Sequence, residues 1–367
     1  MKGLTFKKIL SANPEEIDKK LKLNHLFIYI NTSCNLSCRY CGCHFINELI
    51  KNPILQEDRF RKALKQFAQR ACRYPEFTFY GGEPLIYYEK LKKYSSLIRS
   101  KFPYSRINIF TNGMLLNKKA ADLAEEKNLN FLISIDGDKK TTDFNRKTFI
   151  YPSVYEKILK NLKNFKNFHR FTANMVITPD NVEYWADNVA HLKKMGFESV
   201  NWDINYAGEW DKKKINIFSE ELIKILSSYI KESFKKSNFK LSNLYKYLFK
   251  KNSDDQPLSL TLMNDGNFYF CDLTSLLREA NQKELKKTEM FFNFLSAQKN
   301  LSRNELYCGT GLYLYLCLKN KKSEEAEKKL SFFFDLKNRH EKILKAFANK
   351  IKRIPHIMSV YEEKNIK

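Results

Sequence analysis

Residues 26–41 read LFIYINTSCNLSCRYC, an apolar strand that leads into a loop with three cysteines. The aromatic and β-branched residues from Leu26 to Ile30 are typical of a buried strand. Cys34, Cys38 and Cys41 follow within eight positions, a spacing that brings three thiols into one short loop. A strand that ends in a chemically active loop is therefore the first unit of the fold.

The alternation of strand and helix recurs downstream, and the predicted strands end at polar or glycine-containing motifs such as Gly81-Gly82, Asn112-Gly113 and Asp136. Parallel strands need long, right-handed return connections, so the repeat predicts an α/β fold, a partial (β/α)6 barrel. Reactive groups in such folds gather beyond the carboxyl ends of the strands. The predicted strands are Leu26–Ile30, Phe77–Tyr80, Ile107–Phe110, Phe131–Ile135, Phe171–Ile177 and Ser199–Ile204, and the predicted helices include 60–71, 85–100, 154–165 and 182–194.

The pattern changes near residue 216 to an amphipathic helix, for which Ser219 is the predicted N-cap. Leu258–Met263 and Phe268–Cys271 flank Asp265-Gly266 and predict a β-hairpin. The tail from Lys321 onward is charged and predicted to be helical.

The three clustered cysteines allow two metal sites. Three thiolates leave the fourth iron of a cubane [4Fe-4S] cluster open for a ligand. A structural zinc ion would instead need a fourth ligand, which Cys43 or His44 could supply. Spacing alone leaves both alternatives open.

The residues between the cysteines carry a resemblance. Cys-Asn-Leu-Ser-Cys-Arg-Tyr-Cys resembles the signature of the radical S-adenosylmethionine (SAM) superfamily, including the aromatic Tyr40 before the third cysteine. The resemblance implies a [4Fe-4S] cluster on Cys34, Cys38 and Cys41 whose open iron binds SAM and whose electron cleaves it to a 5′-deoxyadenosyl radical. It also places Tyr40 in the adenine pocket.

Three later motifs agree with this resemblance. Glycines at Gly81-Gly82 let the backbone approach a ligand closely, and the Glu83 carboxylate suits the ammonium group of SAM. Asn112 occupies the same place after the next strand. Ser134 and Asp136 suit the ribose hydroxyls, and Arg146 suits the SAM carboxylate. Over residues 24–205 the order of motifs looks most like anaerobic sulfatase maturases and ribosomal-peptide-modifying enzymes, the SPASM/twitch-type branch.

Relatives of that branch carry auxiliary clusters in a C-terminal extension, and this chain retains part of the pattern. Cys271, Cys308 and Cys317 match positions in it, but other expected cysteines are missing, which indicates a degenerate extension. The three either share one auxiliary [4Fe-4S] cluster or are buried apolar thiols. Asp272 matches a carboxylate that acts as the proton acceptor in the sulfatase maturases, or it is a surface aspartate.

The resemblance divides the chain into five parts: an N-terminal extension (1–22), a radical SAM partial barrel (23–215), a helical connector (216–257), a reduced SPASM/twitch-like module (258–320) and a basic helical tail (321–367). It implies a peptide or protein substrate and a flavodoxin- or ferredoxin-type electron donor. Radical modification of RNA, a nucleoside or a sugar is the first alternative. A non-catalytic iron-sulfur or zinc accessory protein is the second.

The composition limits the partners. The formal net charge is +24, but lysines are spread along the whole chain without a nucleic-acid motif, so a solvated basic surface is favoured over nucleic-acid binding. No run of eighteen apolar residues occurs, and charges are scattered through residues 1–20. We therefore expect a cytoplasmic protein without a membrane span.

Overall fold

A computed structural model describes residues 22–42, 54–166, 171–233, 238–249, 258–269, 312–316 and 323–362, with a few single positions between 282 and 292. Strands and helices alternate through the first 200 residues of this part. The strands there are Leu23–Asn31 (β1), Ala71–Gly81 (β2), Arg106–Thr111 (β3), Leu129–Ser134 (β4), Phe171–Ile177 (β5) and Ser199–Ile204 (β6). The helices are Glu57–Ala68 (α1), Tyr88–Lys101 (α2), Lys118–Glu126 (α3), Lys139–Asn145 (α4), Val154–Leu162 (α5) and Trp185–Lys194 (α6), with 3-10 turns at Pro84–Tyr87 and Val182–Tyr184.

The predicted parallel sheet is confirmed. Strands β1 to β6 lie side by side in chain order, and every neighbouring pair among them is parallel. Alternate side chains such as Leu26, Ile28 and Ile30 on β1 are fully buried, because successive residues of a strand point to opposite faces and one face packs on the helices. The other face is more polar, with Thr78, Asn108 and Asn174 on it.

The second half of the described chain extends this sheet at both edges. Lys240–Leu241 (β7) pairs with β6, and Leu258–Leu262 (β8) pairs in parallel with β1. The predicted hairpin is present, since β8 continues through Asp265-Gly266 into the antiparallel Phe268–Tyr269 (β9). The remaining helices are Lys212–Ser233 (α7), Tyr245–Phe249 (α8), Ser323–Ile351 (α9) and Pro355–Glu362 (α10).

Helix α7 begins earlier than the sequence predicts, and Ser219 is not its N-cap. The Asp211 carboxylate accepts a hydrogen bond of 2.7 Å from the Lys214 backbone N–H, which is the usual contact of an N-cap. Ser219 lies inside the helix, where its hydroxyl donates to the Ile215 carbonyl at 3.1 Å. The prediction was wrong because the lysine-rich first turn hides the apolar periodicity on which it relied.

Helix α9 packs against α7 and α8. The Trp202 indole N–H on β6 donates to Nε2 of His340 at 3.0 Å, and both side chains are buried. In the described residues, no helix is long and apolar enough to cross a bilayer. The proposed domain boundaries stay predictions, and Cys43, His44, Cys271, Asp272, Cys308 and Cys317 lie outside the described residues.

Candidate radical SAM site

The cysteine loop leaves β1 and is held by backbone hydrogen bonds on both sides. The N–H groups of Ser37 and Arg39 donate to the carbonyls of Lys147 and Asn145, at 2.8 and 2.9 Å. On the other side, the Glu83 N–H donates to the Ser33 carbonyl at 2.8 Å. The loop that carries the cysteines is therefore fastened to the segments that follow β2 and β4.

The three thiols of this loop lie within electrostatic range of one another. Desolvation by the surrounding protein is the main cause that raises the pKa of Cys34 to about 11; the Leu36 N–H opposes the rise, and the Glu83 carboxylate and Cys41 add to it. Burial also raises the pKa of Cys38 to about 12, while the Arg146 guanidinium opposes that rise. The Cys34 side chain is exposed, and those of Cys38 and Cys41 are half-buried. Three thiolates held this closely repel one another unless a cation joins them.

A [4Fe-4S] cluster fits this donor set. Within the described ranges, no three Cys, His, Asp or Glu side chains converge tightly enough to hold a single metal ion. A cubane suits the looser spacing, because each thiolate binds a different iron and three thiolates leave one iron open. The donors are also soft sulfur ligands, which iron-sulfur clusters prefer.

Glu83 lies beneath the loop as a buried carboxylate. Its Oε1 accepts from the Thr111 hydroxyl at 2.8 Å and the Leu85 N–H at 3.0 Å. Its Oε2 accepts from the Asn112 N–H at 2.7 Å. A carboxylate has about four acceptor positions, so one on Oε2 is left for a donor such as an ammonium group.

The two glycines before Glu83 fit closely against the cysteine loop. A Cβ atom on Gly82 would lie 2.0 Å from the Ser33 carbonyl oxygen, and one on Gly81 would lie 2.4 Å from the Asn31 oxygen. Gly81 also has a φ of 127°, in the region that favours glycine. The two glycines therefore allow a close approach as predicted, but what they approach in the structure is the backbone of the cysteine loop and not a ligand.

We expect Gly82→Ala to lower the free energy of unfolding by about 1–3 kcal/mol, because backbone cannot yield to a new methyl group as a flexible side chain can. The matched control is Gly42→Ala on the same loop, where a Cβ meets only the Tyr315 ring at 3.8 Å. Urea unfolding of both variants measures the difference. Equal midpoints would show that the loop moves aside freely.

The buried Glu83 also predicts a pH dependence. Burial raises its pKa to about 7, although three hydrogen bonds oppose the rise. An unfolded chain releases this proton near pH 4.3, about the value of a free glutamate. Between these two pH values the folded state binds more protons, so the free energy of unfolding falls as the pH rises and levels off above about 7.

Replacing Glu83 with glutamine should flatten this slope, whatever it does to absolute stability. Urea unfolding of the SAM-free protein at a series of pH values between about 5 and 8 compares the two chains. If both lose stability in parallel over this range, another group causes the dependence.

Asp136 and Arg146 form a buried ion pair, and the predicted contact of Asp136 with ribose stays a prediction. The Arg146 Nη2 donates to Oδ1 of Asp136 at 2.8 Å, and its Nε donates to Oδ2 at 3.1 Å. The carboxylate also accepts from the Tyr40 hydroxyl and, at 3.0 Å, from the Val176 N–H. Asp136 is fully buried, and the guanidinium contacts both of its carboxylate oxygens.

Arg146 keeps donors for a ligand even in this pair. A guanidinium has five N–H groups, and Asp136 uses one on Nε and one on Nη2, which leaves the edge between Nη1 and Nη2. The Tyr40 ring lies 5.4 Å from the guanidinium carbon. Asp136 and Tyr40 thus fix the orientation of Arg146.

Asn112 is also used inside the protein. Its amide donates to Oδ1 of Asn35 at 2.7 Å and to Sγ of Cys34 at 3.7 Å, so it supports a cysteine ligand, and its two amide donors are not free for SAM. Ser134 ends β4 and is half-buried, and no side-chain partner is found for it among the described residues. Its predicted contact with ribose stays a prediction.

Several polar residues of the site were missed by the sequence reasoning. Thr111 donates to Glu83, and its place directly before the Asn112-Gly113 motif could have indicated this. Asn174, Asn201 and Asp203 line the inner face of β5 and β6. The sequence contained a signal for them. A strand that is buried on both faces is apolar throughout, so polar residues at alternate positions of a predicted strand indicate a face that lines a site.

Residues 28–192 match the family model of the radical SAM superfamily. An uncharacterized protein of Methanocaldococcus jannaschii is 25% identical over 68% of this chain and 85% of its own length. The cysteine-type anaerobic sulfatase-maturating enzyme of Clostridium perfringens is 27% identical over 35% of this chain and 36% of that enzyme. This chain therefore matches only about a third of the length of that enzyme.

The solved structures of anSMEcpe show the same fold. Two of them carry bound AdoMet (SAM), one alone and one together with the Cp18Cys peptide, and are 19% identical to this chain. Both have a TM-score of 0.61 over 89% of this chain and 100% or 99% of theirs. The fold, the site and the family match define residues 28–192 as a radical SAM domain, and this domain supports a radical SAM enzyme. Its relatives include anaerobic sulfatase-maturating enzymes, which agrees with the branch predicted from the sequence.

Proposed function

We propose that this protein binds a [4Fe-4S] cluster through Cys34, Cys38 and Cys41, cleaves SAM reductively and modifies a side chain of a peptide or protein. One observation carries this proposal: the three thiols lie close to Glu83 and Arg146. Among the described residues, Glu83 Oε2 accepts only one hydrogen bond, and Asp136 holds Arg146 in one orientation. When bound, the cluster would supply the electron that generates the 5′-deoxyadenosyl radical.

The protein's own groups would bind and orient SAM. Glu83 holds its ammonium group through Oε2, and Arg146 holds its carboxylate through the Nη1–Nη2 edge. Ser134 reaches the ribose hydroxyls, and the Tyr40 ring borders the adenine. These contacts fix the methionine and adenosine ends separately, so the bond to be cleaved is held in one place.

A peptide substrate is supported by two comparisons. The related curated enzymes are named for sulfatase maturation, and anSMEcpe has been solved with a bound peptide. The reaction also needs one electron from outside, for which we propose a flavodoxin- or ferredoxin-type donor. A basic protein surface attracts such donors when they are acidic.

The test is anaerobic reconstitution with iron and sulfide, followed by SAM and dithionite. We expect about four irons per chain at the main site and release of 5′-deoxyadenosine and methionine. Mass analysis after co-expression with candidate peptides then detects modification. Zinc without sulfide, or a cluster that never yields 5′-deoxyadenosine, contradicts the proposal. Turnover of a nucleoside or sugar in the absence of peptide contradicts the peptide part alone.

A further inference from the structure

A chain of polar side chains crosses the inner face of β5 and β6. Asn174 and Asn201 are register partners, and the Asn201 amide donates to Oδ1 of Asn174 at 2.6 Å. The Asn174 amide in turn donates to Oδ2 of Asp203 at 3.1 Å. The intervening Trp202 points to the opposite face and is buried. These two hydrogen bonds therefore form a series that ends at the Asp203 carboxylate.

Among the described residues, no lysine or arginine side chain forms an ion pair with the Asp203 carboxylate. The Asp203 side chain is exposed to solvent, and the protein around it raises its pKa by desolvation. In the part of the chain that the structure describes, Asn174 is its one side-chain partner. A carboxylate that is exposed and held in place by an amide can accept a charge-assisted hydrogen bond from a bound cation.

This carboxylate lies beside the SAM anchors without belonging to them. Val176 of β5 is the register partner of Asp203, and its N–H donates to Asp136, which orients Arg146. Asp203 is thus one strand away from the group that holds the SAM carboxylate. The substrate must approach SAM closely for its C–H bond to react, so the inner face of β6 is a wall that the substrate can reach.

We propose that Asp203, oriented by Asn174 and Asn201, binds a protonated amine or a guanidinium group of the substrate. The inference rests on the proposed function for the presence of a substrate, but it assigns the chemistry of one group on it. A carboxylate with a free oxygen offers such a cation a charge-assisted hydrogen bond. Selectivity for a basic residue near the modified position follows.

The probes that test this are Nα-acetyl-lysine amide and Nα-acetyl-arginine amide, with Nα-acetyl-norleucine amide as the neutral analogue. Their binding to the SAM-loaded holoenzyme is measured by saturation-transfer NMR without reductant. We expect at least one cationic probe to bind about tenfold more tightly than the norleucine probe. Asp203→Asn should remove that preference, and Asp203→Glu should retain part of it.

The matched control is Asp180→Asn, a change of an exposed aspartate in the turn after β5. Circular dichroism checks that each variant folds, and SAM affinity is measured in parallel. Equal binding of all three probes, or an unchanged preference in Asp203→Asn, overturns the proposal. So does a loss of SAM affinity in Asp203→Asn, since the carboxylate would then serve SAM. Because no reduction is needed, failure of SAM cleavage is detected separately and counts against the proposed function.

Discussion

Replacing any one of Cys34, Cys38 and Cys41 with alanine is expected to abolish SAM cleavage and to remove the cluster iron. In the proposed cubane each thiolate would bind a different iron, so the loss of one would expose a second iron and destabilise the whole cluster. The raised pKa values of Cys34 and Cys38 mean that the free thiols are protonated at neutral pH. Binding of the proposed cluster would favour their ionised forms, which would tie cluster assembly to all three thiols.

Iron and sulfide analysis of the reconstituted variants measures this, together with 5′-deoxyadenosine release under dithionite. Cys72→Ala is the matched control, because Cys72 is half-buried on β2, outside the loop, and should leave both readouts unchanged. A single variant that keeps full cleavage activity would refute the assignment of that ligand.

Iron and sulfide analysis of a variant with Cys34, Cys38 and Cys41 all replaced by alanine tests whether the cysteines outside the described residues bind a second cluster. If Cys271, Cys308 and Cys317 are buried thiols of a degenerate extension, the triple variant should contain no iron. If about four irons remain, those cysteines hold an auxiliary cluster and the interpretation of a degenerate extension is wrong.

The fold could be predicted because its signals are local. Aromatic and β-branched runs such as Phe171–Ile177 and Ser199–Ile204 define strands at the predicted bounds. The positions of the motifs followed from topology, since the carboxyl ends of parallel strands share one edge of the sheet. Short helices such as Lys118–Glu126 were missed, because few large apolar residues mark their buried face.

The contacts of the site could not be predicted, because they depend on which polar group lies nearest after packing. A ribose hydroxyl and a guanidinium are both chemically suitable partners for the Asp136 carboxylate. In the structure Arg146, ten residues later in the chain, lies at hydrogen-bond distance from both of its oxygens. Asn112 likewise reaches Cys34 and Asn35, which precede it by almost eighty residues. A motif identifies which side chains gather at an edge, whereas the fold decides which of them satisfy one another.

Breaking the buried ion pair between Asp136 and Arg146 is expected to have a second large effect, on both stability and SAM affinity. We expect Asp136→Asn to lower the free energy of unfolding by about 3–5 kcal/mol, because a guanidinium that is 5% exposed loses its counter-charge. SAM affinity should fall as well, since Arg146 is no longer held with its free edge toward the ligand. Urea unfolding and calorimetric titration with SAM measure the two effects, with the exposed Asp180→Asn as control.

A double variant separates the two roles of this pair. Replacing both partners with apolar residues, as in Asp136→Leu with Arg146→Met, removes the unpaired charge and should recover much of the lost stability. It cannot recover SAM affinity, because the donors that would bind the SAM carboxylate are gone. If the double variant binds SAM as the unmodified chain does, Arg146 serves only the fold. If Asp136→Asn keeps full affinity while it loses stability, Arg146 needs no orienting partner, and the carboxylate is an internal counter-charge alone.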